Sequence, residues 1–247
     1  MRKGTFILGT LLAGLCAPAA AFHPLMCEDT GFLGKDVKQV EVGFDHSISR
    51  EGADIHANTI TGEISYGLFD TVDLLMSAPW QGWSSHGLAE NGPGDVSIEA
   101  KFKAAERNGW VLALRPGFSL PAGDEAKSLG AGKGGAWLTA IAGAASGPWQ
   151  YYLDAGYALN RNDIGERESI LKGAAAGTYA LAPGLLAAGD ISIETNPEKG
   201  SASHPVSAVL GLIWSPYPTL DLDAGVKLGL TRPADDLGIL AGFTLRL

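Results

Sequence analysis

Long apolar runs, paired cysteines and basic residues are all scarce in this sequence, and each scarcity excludes something. No stretch reaches the roughly 20 apolar residues that a transmembrane helix requires; the best, Phe6 to Leu15, is shorter. Only Cys16 and Cys27 occur. Cys16 lies in a segment expected to be removed, so no intramolecular disulfide can form, and Cys27 reads as a lone thiol. Basic residues number 18 against 27 acidic ones. That balance excludes nucleic acid as a partner.

The segment expected to be removed is residues 1–21, a signal peptide. Arg2 and Lys3 supply its positive start, Phe6 to Leu15 its apolar stretch, and Ala19-Ala20-Ala21 the small residues before cleavage at Phe22. Arg2 and Lys3 go with it, so 18 basic residues fall to 16 against an unchanged 27 acidic ones. Glycine is abundant, 34 of 247 residues, about twice its usual share of about 7%. Mean hydropathy is +0.10 although 18% of residues are charged, so the apolar residues must be dispersed.

They are dispersed singly, with period two. At the C-terminal end Ile239, Ala241, Phe243, Leu245 and Leu247 share one face, and Gly238, Leu240, Gly242, Thr244 and Arg246 the other. Such alternation is that of a β-strand with one apolar face. Val96, Ile98, Ala100 and Phe102 alternate with Asp95, Ser97, Glu99, Lys101 and Lys103 in the same way. Repeated along the chain, the pattern predicts twelve strands, with Ala136 to Ala145 ambiguous in its facing. Single-chain bacterial barrels have even strand numbers.

Short turns alternate with longer polar loops, among them Gln81 to Pro93, Pro121 to Gly135, Asn160 to Glu168 and Asn196 to His204. Transmembrane barrels keep short turns on the periplasmic side, so both termini are expected there. Tyr66, Phe69, Trp110, Trp149, Tyr179, Trp214 and Tyr217 gather at the short-turn ends, as an interfacial girdle does. A soluble sandwich or lipocalin-like barrel also alternates. It would not cluster its aromatics at one end or place charges on the second face of nearly every strand. The expected fold is therefore all-β: a transmembrane antiparallel up-and-down barrel over 37–247, in the cell outer membrane. Residues 22–36 either enter the periplasmic mouth as a short plug or form a disordered leader. The final strand resembles the signal read by the barrel-assembly machinery, with Leu247 where an aromatic is usual.

Several local motifs follow in order: His23-Pro24, Glu28-Asp29-Thr30-Gly31, Gly34, Gly94-Asp95-Val96, Leu120-Pro121-Ala122-Gly123 and Asp154-Ala155-Gly156-Tyr157. Together they resemble the outer-membrane barrel family labelled "putative meta-pathway of phenol degradation". The resemblance implies transport of small, often aromatic or hydrophobic, compounds across the outer membrane.

The faces opposite the lipid place Glu41, Glu63, Asp95, Glu99, Lys101, Lys103, Arg115, Asp154, Lys172, Asp190, Glu194, Asp221, Asp223, Lys227 and Arg246 toward the lumen, with Asp45 and Asp73. Charges so dense must pair or meet water, because isolated burial is costly. Two functions fit. One is a channel passing small solutes through a narrow charged lumen. The other is a closed structural or surface-binding barrel, filled by the same ion pairs. Twelve strands lie between barrels filled by side chains and open porins, so size does not choose.

Catalysis and cofactors are not expected. Asp45, His46 and Ser47 are consecutive, so His46 points away from both neighbours and no nucleophile–base array forms. His23 with Glu28 and Asp29 is a poor metal set. Gly130 to Gly135 lacks the spacing and following helix of a phosphate loop and reads as an external loop. The partners expected are outer-membrane lipid, the assembly machinery and a small solute.

Overall fold

A computed structural model describes residues 23–50 and 54–247; the expected signal peptide lies outside the described residues. Thirteen strands follow one another: β1 (Lys38–Ser49), β2 (Ile55–Phe69), β3 (Val72–Ser85), β4 (Leu88–Pro93), β5 (Val96–Arg107), β6 (Trp110–Leu120), β7 (Ala136–Ser146), β8 (Trp149–Leu159), β9 (Ser169–Ala182), β10 (Leu185–Glu194), β11 (Val206–Tyr217), β12 (Leu220–Gly229) and β13 (Leu237–Arg246). Twelve of them close an antiparallel ring. Sequential neighbours pair, β3 pairs with β5, and β13 returns to β1 over the register Gln39↔Arg246 to Ile48↔Leu237. Closure leaves no unpaired sheet edge within the ring, as a wall in hydrocarbon requires.

β4 is the extra strand. Gln81 to Pro93 reads as a loop in the sequence but folds into a hairpin. His86 and Gly87 both have positive φ, 50° and 80°, the backbone of a two-residue primed turn that matches strand twist. β4 and β5 are two parts of one descending run. Trp80 faces Pro93 and Ser77 faces Ser97, a slip of one residue across Gly94-Asp95, which is a bulge.

Burial follows the expected alternation. In β11, Leu210 is 70% exposed while its neighbour Val209 is fully buried, so Leu210 faces outward and Val209 inward. Outward faces carry Ile64, Leu171, Leu212 and Ile239, all exposed. Such a band would far exceed the apolar patches that a water-soluble surface tolerates, so its solvent is lipid. Trp110, Trp149, Trp214, Phe69 and Tyr217 stand exposed at the short-turn ends, and Trp149 packs on Tyr179 at 4.7 Å. The inner face is not wholly polar. Leu75, Ala113, Ile141, Val209, Ile213 and Leu240 are buried there.

Candidate functional site inside the barrel

The N-terminal segment, residues 23–36, crosses the inner face at mid-height and descends to the short-turn end, where β1 begins. Its backbone is held by aspartates of the wall. Met26 and Cys27 donate to Asp190, Glu28 to Asp154 at 2.9 Å, Leu33 to Asp73 at 3.2 Å and Lys35 to Asp70 at 3.0 Å. Four carboxylates so placed satisfy amides that the segment cannot pair with itself. The side chains add charge: His23 bonds Asp223, Glu28 bonds Arg115, and Asp29 meets Lys101 at 2.7 Å. His23, Glu28 and Asp29 thus each take a different partner rather than forming one cluster.

Small residues on the wall make room for this path. A β-carbon built on Gly211 would lie 2.6 Å from the Pro24 ring, and one on Gly225 2.8 Å from it. Such distances cannot be held, so Pro24 is fully buried in a notch that only glycine leaves open. Part of the glycine excess is thereby explained. Cys27 is the buried thiol of the segment, and burial together with Asp154 and Asp190 pushes it well above the ordinary range.

Arg115, on β6, is the hub. Its Nε and Nη2 grip Glu99 at 2.8 and 3.1 Å, Nη2 also reaches Glu63 at 3.4 Å, and Nη1 bonds Glu28. The paired bonds to Glu99 form the fork that guanidinium makes with a carboxylate. Glu99 also accepts from the Trp137 indole N–H at 3.1 Å. Trp137 is paired with Gly117 across β6 and β7, and its ring lies so close over that glycine that a β-carbon there would be 2.4 Å away. Pro116 falls between Arg115 and Gly117, and the β5–β6 ladder skips from Glu99↔Gly117 to Phe102↔Leu114 beside it. The missing N–H of proline accounts for the break.

The other anticipated residues divide by height. Asp221 bonds Arg246 near the short-turn end, and Lys103 meets the neighbouring Glu106 at 3.1 Å. Glu41 accepts from Thr244 at 3.2 Å and stands opposite Glu63. Toward the long-loop end, Lys172 pairs with Glu194 at 3.3 Å and Lys227 with Asp45 and Asp235 at 3.2 and 3.3 Å. Asp95 sits in the β4–β5 bulge, where it accepts from the amides of Ala122, Gly123 and Ala131 and so anchors the loop 121–135. Trp137 was hidden in the sequence among small residues of ambiguous facing. Its only signal is the large–small pairing with Gly117.

Two of the cavities lie against the segment. The larger, about 620 Å³, lies on the long-loop side and is lined by Met26, Trp137, Lys172 and Glu194 among others. The smaller, about 180 Å³, lies between the segment and β1 to β6, beside Glu41, Glu63, Asp73 and Lys101. Glu28 and Arg115 are the two residues that line both.

A family profile described as "Putative MetA-pathway of phenol degradation" matches residues 41–247. The chain belongs to this family. Among solved structures, an outer-membrane channel from Pseudomonas putida F1 superposes with a TM-score of 0.71 at 16% identity, covering 87% of this chain and 97% of that one. The KdgM porin gives 0.53 at 10% identity, with coverages of 83% and 98%. The translocator domain of the autotransporter NalP from Neisseria meningitidis gives 0.53 at 12%, with 87% and 89%. At these identities the likeness is one of fold, and the fold is that of outer-membrane barrels. No curated protein matches the sequence.

Proposed function

We propose that this family member is an outer-membrane channel, with both termini in the periplasm, that passes small compounds through a narrow, charged interior. Aromatic or hydrophobic solutes fall within that class, as the family description suggests. One observation carries the reading: within a closed barrel, two cavities of about 620 and 180 Å³ approach each other at the single pair Glu28–Arg115. On this reading residues 23–36 act as a plug that narrows the passage, and the paired charges line what remains. The likeness in fold to a channel and a porin supports it.

The test is conduction by the purified mature protein in planar bilayers, with ion selectivity shifting in Glu99→Gln and Arg115→Gln. Silence in the bilayer, together with normal solute uptake in a deletion strain, would sink the idea. A second reading, a closed structural or surface-binding barrel, is favoured by the density of bonds around the segment. A protein that stays silent even after residues 23–36 are deleted supports that second reading. Protease access or labelling at Lys133 on intact cells checks the orientation, since its loop is then external.

A further inference from the structure

The charges around the larger cavity are not equally committed. Its acids number more than its bases, and each of them already accepts a hydrogen bond or an ion pair. Glu99 holds the Arg115 fork and the Trp137 indole. Asp154 takes the Glu28 amide, Glu194 takes Lys172, and Asp235 takes Lys227. Glu28 is the exception among the ligands of Arg115: it comes from the segment rather than the wall, and its side chain is 36% exposed against 9% for Glu99 and 20% for Glu63. It is the carboxylate most easily exchanged.

The exchange requires little movement. The Glu28 backbone is fixed on Asp154, its neighbours Met26 and Cys27 are fixed on Asp190, and Asp29 is fixed on Lys101. Rotation of one side chain therefore frees the Nη1 side of Arg115 without withdrawing the segment. The incoming carboxylate takes over the Nη1 bond, and the displaced Glu28 carboxylate, already 36% exposed, turns into the cavity, where its charge must be met by water rather than by protein. Trp137, seated over Gly117, lines the same cavity as Glu28 and Arg115. A planar group attached to the carboxylate would share that cavity with an aromatic side chain. The cavity of about 620 Å³ falls in the usual range for small-molecule sites, about 300–1,000 Å³.

We propose that Arg115 is a recognition site for small planar organic carboxylates, and that Glu28 is its built-in stand-in: a solute carboxylate arriving from the long-loop cavity takes the place of Glu28 on Arg115 and joins the two cavities. The proposal deepens the channel reading and rests on it for its transport consequence.

The experiment titrates the full mature protein in detergent with benzoate, benzyl alcohol and benzylammonium by calorimetry, and applies the same solutes to the protein in planar bilayers carrying KCl. Benzoate alone is expected to bind. Glu28→Gln, which keeps the shape of the stand-in and removes its charge, should tighten benzoate about tenfold, the worth of one charge-assisted hydrogen bond. Arg115→Lys keeps the charge but loses the fork, and should weaken benzoate; heat-dependent gel migration reports whether either variant retains its barrel. Benzylammonium binding in preference to benzoate overturns the proposal, as does equal binding of benzyl alcohol. An unchanged benzoate affinity in Glu28→Gln overturns it too, and this arm does not depend on altering Arg115. In the bilayer, benzoate should interrupt the KCl current. Tighter benzoate binding in Glu28→Gln by a protein that never conducts would uphold the carboxylate site and defeat the channel reading, so the two failures are distinct.

Discussion

The two halves of the barrel interior are built from the same strands and the same alternation, yet they differ in kind. Below mid-height the space is taken by residues 23–36, and charges there are buried against it: Lys101 is 6% and Asp73 4% exposed. Above mid-height lies the larger cavity, and the pair Lys172–Glu194 on its wall stands half in solvent, with side chains 58% and 41% exposed. The difference teaches that alternation delivers a charged inner face but not its state. A segment supplied from outside the strands turns one half into a packed core and leaves the other a cavity. The same kind of ion pair has different consequences in the two settings, because solvent screens one and not the other.

The comparison can be broken at its strongest point first. Arg115→Gln strands Glu63 and Glu99 beside a lost cation, and is expected to lower stability against urea by about 3–5 kcal/mol. Next comes the notch for Pro24. Gly211→Ala places a carbon 2.6 Å from its ring, and overpacking of this kind costs about 1–3 kcal/mol. The segment should shift while the barrel stays closed. Cys27 reports that shift. Its raised pKa and burial keep it unlabelled by maleimide at neutral pH in the unaltered protein, whereas Gly211→Ala should make it react. Labelling that stays absent in that variant would mean that the segment is not held by the notch.

Smaller effects are expected in the solvated half. Lys172→Gln removes a half-exposed pair and should change stability by at most about 1 kcal/mol. A loss as large as that of Arg115→Gln would erase the distinction between the halves. Of similar size but opposite sign is Gly62→Ala on β2, where nothing lies within 4 Å of an added β-carbon. There the relief of chain entropy should raise stability by about 0.5–1 kcal/mol, with no change in Cys27 labelling.

Much of the wall was legible in advance. Exposed Leu210 beside buried Val209 is the alternation of the sequence made visible, and the ring of twelve closes as the even count implied. The hairpin at His86-Gly87 was missed because its residues, polar and glycine-rich, look like an ordinary loop until both adopt positive φ. The inner face was legible as charge but not as partnership. Asp95 reads from its facing as one more lumen charge, and its carboxylate accepts from the amides of a loop. Trp137 was invisible as an inner residue, since a strand of alanines gives no facing.

What the sequence by itself determined is therefore what depends on near neighbours: strand, face, turn and the order of the ring. Side chains two apart share a face whatever the rest of the chain does. What only the tertiary structure decided is which charges meet and what fills the interior. The Met26 and Cys27 amides find Asp190 at sequence separations of 164 and 163, and Arg115 finds Glu28 at 87. No local pattern encodes such meetings. They follow from ring closure, which brings every strand within reach of one axis and lets a short segment running across it choose its partners.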